Sequence, residues 1–162
     1  QVMYNSPSFG GLTVSASTVL KANGGIDSAA TADKSKYDLS ATYAKGPVTA
    51  SLAYNNLSGS EKNWALGGKY DFGAFAVAGS YQDPAGAPKG YTLGVSAPVG
   101  PVTLTADIAR DTGTGTKNTD FVLEAKYALS KRTFAYGVYM RDGAVAGAQS
   151  VNGYAVGVRH NF

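Results

Sequence analysis

The ten residues that decide the fold are the last of the chain, Gly153-Tyr154-Ala155-Val156-Gly157-Val158-Arg159-His160-Asn161-Phe162. In an extended strand, side chains two residues apart share a face. One face of this stretch therefore carries Tyr154, Val156, Val158, His160 and Phe162, and the opposite face carries only small or polar residues. An alternation of this kind, ending on an aromatic residue, favours an antiparallel strand that meets lipid on one face and water on the other.

The same period of two recurs along the whole chain and predicts eleven strands without a helix. The strands are predicted at residues 1–5, 12–21, 37–45, 48–56, 63–72, 74–82, 90–98, 102–111, 119–129, 132–142 and 153–162. Most of these are about nine to eleven residues long, which is enough for a tilted strand to cross a bilayer.

The connections between these strands alternate between short turns and longer polar loops. Residues 46–47 and 130–131 are examples of the short turns, and residues 22–36 of the long loops. Such sorting of loops by edge is typical of outer-membrane barrels, in which tight turns face the periplasm. Aromatic residues also cluster at strand ends, as two interfacial girdles require. These are Tyr37, Tyr43, Tyr54, Trp64, Tyr70, Phe72, Tyr81, Tyr91, Tyr127 and Phe134. We therefore predict an all-β, antiparallel transmembrane β-barrel, with residues 1–162 in a single domain.

The composition agrees with a membrane barrel and excludes several other classes. Only 15% of the 162 residues are charged, fewer than a soluble surface usually carries. No run of 18 apolar residues is present, so no transmembrane helix is predicted. The absence of Cys excludes disulfides and thiol-ligated metals, and a net charge of +3 without a basic cluster gives no reason to expect a nucleic acid partner.

The inward face of the predicted strands carries the candidate site. In a wide barrel its charged side chains would line the pore and set the potential for passing ions. These residues are Asp38, Lys69, Asp71, Asp107, Glu124, Lys126, Arg141 and Arg159. In a narrow barrel they would instead form a salt-bridged interior, but most other inward positions are Gly, Ala, Ser or Thr, which cannot fill a lumen. With one His and no Ser-centred elbow or HExxH motif, we predict no catalytic residue, no metal site and no cofactor.

The outward face is predicted to contact lipid. Its aliphatic residues should be exposed when burial is considered for the protein alone. They include Leu52, Leu66, Val77, Leu93, Leu104, Leu123 and Val138.

Several short stretches resemble the Gram-negative outer-membrane general porins, in particular the trimeric porins of the beta-proteobacterial type. These stretches are GVRHNF at 157–162, SPSFGGL at 6–12 and LSKRTFAYG at 129–137. The resemblance extends over roughly the C-terminal two-thirds of such a porin. It implies a homotrimer of sixteen-stranded barrels in the bacterial outer membrane, through which small hydrophilic solutes and ions diffuse passively, with a preference for anions.

The resemblance also implies two further features. Tyr154, Val156, Val158 and Phe162 would be the signal that the barrel-assembly machinery reads. The family narrows its pore with an inward-folded third extracellular loop, and no stretch of this sequence resembles that loop.

Two other classes remain open at this point: a small structural or adhesive barrel without an open pore, and a soluble all-β barrel or sandwich. The strand count also leaves two architectures. Bacterial barrels have an even number of strands, so eleven strands would need missing N-terminal strands, or a second chain, to close the barrel. Alternatively, residues 12–162 form a ten-stranded barrel and residues 1–11 a plug or tail. Backbone pairing between residues 12–20 and 154–162 distinguishes these two architectures.

Overall fold

The computed structural model describes residues 1–20, 35–56, 62–86, 88–113, 117–143 and 149–161. They form one antiparallel sheet of eleven strands, in which each strand pairs with its neighbours in sequence. The strands are β1 (Val2–Asn5), β2 (Leu12–Val19), β3 (Lys36–Lys45), β4 (Val48–Asn56), β5 (Lys62–Asp71), β6 (Ala76–Asp83), β7 (Gly90–Val99), β8 (Val102–Asp111), β9 (Thr119–Ala128), β10 (Thr133–Asp142) and β11 (Val151–His160).

All eleven predicted strands are confirmed, and their boundaries differ from the predicted ones by two residues at most. The largest differences are at β6, which begins at Ala76, and at β11, which begins at Val151. Residue 21, predicted as the end of the second strand, lies outside the described residues. No helix among the described residues is long and apolar enough to cross a membrane.

The side chains divide between two faces, and none of the described hydrophobic side chains is buried. The paired positions of adjacent strands place Leu52, Leu66 and Leu123 on one side, which we call the apolar face. The opposite side, here called the polar face, carries residues such as Thr105 and Lys126. A sheet without a core of its own is stabilised by its backbone ladders and by the medium around the apolar face.

Five of the seven aliphatic residues predicted to be exposed are exposed, namely Leu52, Leu66, Leu93, Leu104 and Leu123. Val77 lies on the apolar face but is half-buried opposite Tyr70. Val138 is half-buried as well, because all of β10 has the opposite orientation to the predicted one.

The predicted orientation of β10 is wrong. Val138 is predicted on the apolar face, but Val138 and the residues on its side of the strand, Phe134, Tyr136 and Met140, pair with the polar-face residues 124, 128, 126 and 122 of β9, respectively. A two-residue turn is expected at 130–131, but the turn has three residues, 130–132. Leu129 lies opposite Thr133, and its amide donates a hydrogen bond to the Thr133 carbonyl at 2.9 Å. One additional turn residue shifts the register by one position, and a shift of one position moves every side chain of a strand to the other face.

The hydroxyl of Ser130 stabilises this three-residue turn. Its Oγ accepts hydrogen bonds from the amides of Arg132 at 3.2 Å and Thr133 at 3.0 Å. By contrast, the β3–β4 turn has two residues, Gly46 and Pro47, and Gly46 takes a positive φ of 57° that other residues rarely adopt.

The ten-stranded architecture is wrong as well. β2 pairs with β1 on one side and with β3 on the other, so it has no free edge for β11. Among the described residues, β1 pairs only with β2 and β11 only with β10.

Aromatic side chains cluster at both ends of the apolar face. At the long-loop end, the rings of Trp64 and Tyr81 are 5.1 Å apart. At the short-turn end, the ring of Phe72 lies 4.5 Å from that of Tyr70 and 4.7 Å from that of Phe75. Aromatic rings at two levels match the two interfaces of a bilayer.

Candidate functional site

The polar face carries seven of the eight charged residues predicted to line a pore. They are Asp38, Lys69, Asp71, Asp107, Glu124, Lys126 and Arg159. Arg141 is the exception, because it pairs with Phe121 and Asn152 on the apolar face. Its guanidinium lies near the long-loop end of β10, where an arginine can extend to the membrane interface.

The register adds four charged residues that the sequence analysis did not include. Lys36, Asp111, Asp120 and Asp142 all lie on the polar face, at the long-loop ends of their strands. The period-two alternation places these residues on the polar face. Each lies at the boundary between a strand and a polar loop, so the alternation alone did not identify them as pore-lining residues.

The charges of the polar face are segregated along the strand direction. Most carboxylates lie in the half that ends in the long loops, where Asp107, Asp111, Asp120 and Asp142 are on neighbouring strands. Three of the cations lie in the half that ends in the short turns. These cations are Lys69, Lys126 and Arg159. Lys36, Asp71 and Glu124 are exceptions to this segregation.

Hydrogen bonds fix several of the acidic side chains of the long-loop half. Asp38 accepts from the Ser17 hydroxyl at 3.0 Å, and Asp120 accepts from the Gly143 amide at 2.9 Å. Asp142 accepts from the Asn118 side-chain amide at 3.2 Å.

The basic half contains a groove of about 480 Å³ that includes Glu124 and Lys126 of β9, Phe134 and Tyr136 of β10, and Arg159 of β11 in its wall. Lys126 Nζ lies 3.0 Å from Glu124 Oε1 and 5.9 Å from the centre of the Phe134 ring. The Phe134 and Tyr136 rings are 6.3 Å apart. Sequence reasoning missed both rings at this site, because the turn length that places them on the polar face has no clear sequence signature.

Two glycines on the polar face allow larger side chains to lie flat against the sheet. The ring of Tyr136 covers Gly157, where an added Cβ would lie 2.6 Å from the tyrosine oxygen. The carboxylate of Asp107 covers Gly94 in the same way. Side chains larger than hydrogen at these positions would push the overlying groups away from the wall.

A larger groove of the described residues, about 740 Å³, opens on the apolar face and is not the candidate site. Small residues such as Ala125 and Gly137 form its floor, and Leu104, Leu123 and Tyr139 form its walls. Such a lining offers only hydrocarbon contacts, which suit lipid chains better than a hydrophilic solute.

The residues of the predicted assembly signal lie on the edge strand β11. Tyr154, Val156 and Val158 lie on the apolar face with 80%, 89% and 68% of their surface exposed. Phe162 lies outside the described residues. The assembly role of these residues remains a prediction. In the described part of the chain, no three His, Asp or Glu side chains are close enough to hold a metal ion.

An antiparallel sheet of membrane-crossing strands, apolar on one face and lined with small and charged residues on the other, defines the wall of an outer-membrane β-barrel. The family model for Gram-negative porins matches residues 1–147. The chain belongs to the Gram-negative porin family, and its location is the bacterial outer membrane. The match ends before β11. No relative was found among curated protein sequences.

Solved porin structures share the fold. The anion-selective porin from Comamonas acidovorans is 25% identical with a TM-score of 0.69, over 99% of this chain and 58% of that one. A triple mutant of the Rhodopseudomonas blastica porin is 19% identical with a TM-score of 0.76, over 96% of this chain and 53% of that one. A further solved porin is 21% identical with a TM-score of 0.71, over 99% of this chain and 60% of that one. The chain thus spans between half and two thirds of the length of these porins.

Proposed function

We propose that this chain forms part of the wall of a water-filled channel through which small hydrophilic solutes and ions diffuse passively. The observation that carries this proposal is the polar face. It bears Gly, Ala, Ser and Thr at most of its uncharged positions, opposite an apolar face with exposed leucines. Side chains this small cannot fill the interior of a wide barrel, so water remains there.

A channel requires a closed barrel, and the described sheet has two edges, at β1 and β11. Unpaired backbone groups at a sheet edge are costly in lipid. We propose that further strands, N-terminal to this segment or from a second chain, pair with both edges. We also propose that the closed barrels associate as a homotrimer. The share of each solved porin that the chain covers supports the first of these proposals.

The preference for anions is a separate part of the proposal. It is supported by the similarity to the anion-selective porin of Comamonas acidovorans and by the cations of the short-turn half. On the polar face as a whole, carboxylates outnumber cations. We therefore assign the anion preference to the level of Lys69, Lys126 and Arg159, where a local positive potential raises the concentration of anions.

Planar-bilayer recordings of the purified protein under a KCl gradient test both parts. Steady conductance is expected, with a reversal potential that moves toward cation selectivity when Lys126 and Arg159 are changed to Glu. Arg141→Glu is the matched control, because it alters an equal charge on the apolar face. The absence of conductance from correctly folded protein would refute the channel and favour a structural barrel. Equal shifts of the reversal potential in the Lys126, Arg159 and Arg141 variants would refute only the assignment of the anion preference to Lys126 and Arg159.

A further inference from the structure

We propose that the groove formed by Phe134, Tyr136 and Arg159 is a binding site for small aromatic carboxylates, with benzoate as the simplest example. This inference rests on the proposed channel, because it names a class of solute that the same wall would hold. Each part of such a ligand has a partner in the groove.

The two rings supply a surface for the aromatic part of the ligand. Phe134 and Tyr136 lie two residues apart on the polar face of β10, with ring centres 6.3 Å apart and planes tilted by 54°. Aromatic pairs prefer tilted or offset contacts with centroids about 4.5–7 Å apart. A third ring can therefore lie against either side chain in a favourable geometry.

The ring of Tyr136 also packs against the wall. It lies across Gly157 of β11, the residue that pairs with it in the ladder. A ring held flat against the wall loses little additional conformational freedom when a ligand binds to it.

Arg159 supplies the charge for the carboxylate. It lies on the polar face of β11 opposite Phe134. Among the described residues, Glu124 forms its ion pair with Lys126, and no ion pair or hydrogen bond involves the Arg159 guanidinium. The Arg159 guanidinium is thus available to the carboxylate of a ligand. A guanidinium binds a carboxylate through two parallel hydrogen bonds.

The size and lining of the groove suit a small solute. Its volume of about 480 Å³ lies within the range of small-molecule sites, roughly 300–1,000 Å³. Rings, a cation and a carboxylate within one groove distinguish it from the rest of the polar face, where small and charged residues predominate.

The test measures binding without using conductance. Saturation-transfer NMR on the detergent-solubilised protein would compare benzoate with cyclohexanecarboxylate, which has the same charge but no aromatic ring, and with benzylamine, which has the opposite charge. Benzoate is expected to bind about two- to tenfold more tightly than cyclohexanecarboxylate, the range that an aromatic contact contributes. Benzylamine is expected to bind more weakly than benzoate.

Variants of one strand provide matched controls. Tyr136→Leu should abolish the preference for the aromatic ring, whereas Tyr139→Leu, on the apolar face of the same strand, should leave it unchanged. Arg159→Gln should weaken benzoate binding about two- to fivefold, and Arg141→Gln should not. If Tyr136→Leu fails to fold, Phe134→Leu tests the same preference.

The outcomes separate the site from the channel. Equal binding of benzoate and cyclohexanecarboxylate, or equal losses in the Tyr136 and Tyr139 variants, would overturn the site even if the protein conducts ions. Selective benzoate binding by a protein that does not conduct would support the site and refute the channel.

Discussion

The sharpest prediction for the membrane orientation concerns Leu123, a residue of the apolar face. Its side chain is 42% exposed in the chain alone and lies between Ala106 and Tyr139 on the neighbouring strands. We expect Leu123→Arg to destabilise the folded protein in a bilayer by about 2–4 kcal/mol, the cost of an arginine at the midplane of a barrel.

The magnitude depends on how deep the residue lies. Leu123 is the fifth residue of the ten in β9. A strand rises about 3.3 Å per residue and crosses the membrane tilted by about 45°, so each residue advances about 2.3 Å along the membrane normal. Leu123 then lies about 9 Å from the beginning of the strand and about 12 Å from its end. This places it near the middle of an apolar band about 25 Å tall.

The matched control is Thr105→Arg. Thr105 lies on the polar face, directly opposite Glu124 in the ladder, so an arginine there would face water beside a carboxylate. We expect its effect to remain within about 1 kcal/mol. Urea unfolding in phospholipid vesicles, followed through the fluorescence of Trp64, measures both variants. Equal losses of stability on the two faces would contradict the assignment of the apolar face to lipid.

The remaining predictions concern packing and ion flow. Gly157→Val should destabilise the protein by only about 0.5–1 kcal/mol, because the new side chain displaces the outer end of the Tyr136 ring from the wall, whereas Gly137→Val, with open space above it, should be tolerated in the same unfolding measurement. An unaffected Gly157 variant would mean that the ring moves aside without cost. Because acidic and basic residues occupy opposite halves of the polar face, single channels of one orientation should pass unequal currents at opposite voltages in dilute salt. The inequality should disappear near 1 M salt, where the screening length falls to about 3 Å. Changing Asp120 and Asp142 to Asn should reduce it, and currents independent of both salt and these residues would contradict the expectation.

The strands and most of their orientations could be predicted from the sequence because a period of two depends on neighbouring residues alone. Leu66 and Lys69, for example, lie on the faces that their positions in the alternation predict. Register within a hairpin also follows from a short turn when the turn residues restrict the backbone, as Gly46 and Pro47 do between β3 and β4.

The orientation of β10 could not be predicted because the turn before it lacks such residues. The residue types of Ser130, Lys131 and Arg132 do not distinguish a turn of two residues from one of three. The length of the turn follows instead from the backbone pairing of β9 with β10. The alternation within β10 was also misleading. Its apolar residues lie on the polar face and Arg141 on the apolar face, the reverse of the pattern in the other strands.

The three-residue turn has a consequence for how such a pore can evolve. If the turn kept three residues after deletion of a single codon between Leu129 and Thr133, Leu129 would pair with Phe134 and β10 would be rotated by one register position. Phe134 and Tyr136 would then face the hydrocarbon and Arg141 the water, with no side chain replaced. An insertion or deletion in a short turn can therefore change which side chains of a whole strand face the water, in one mutational event.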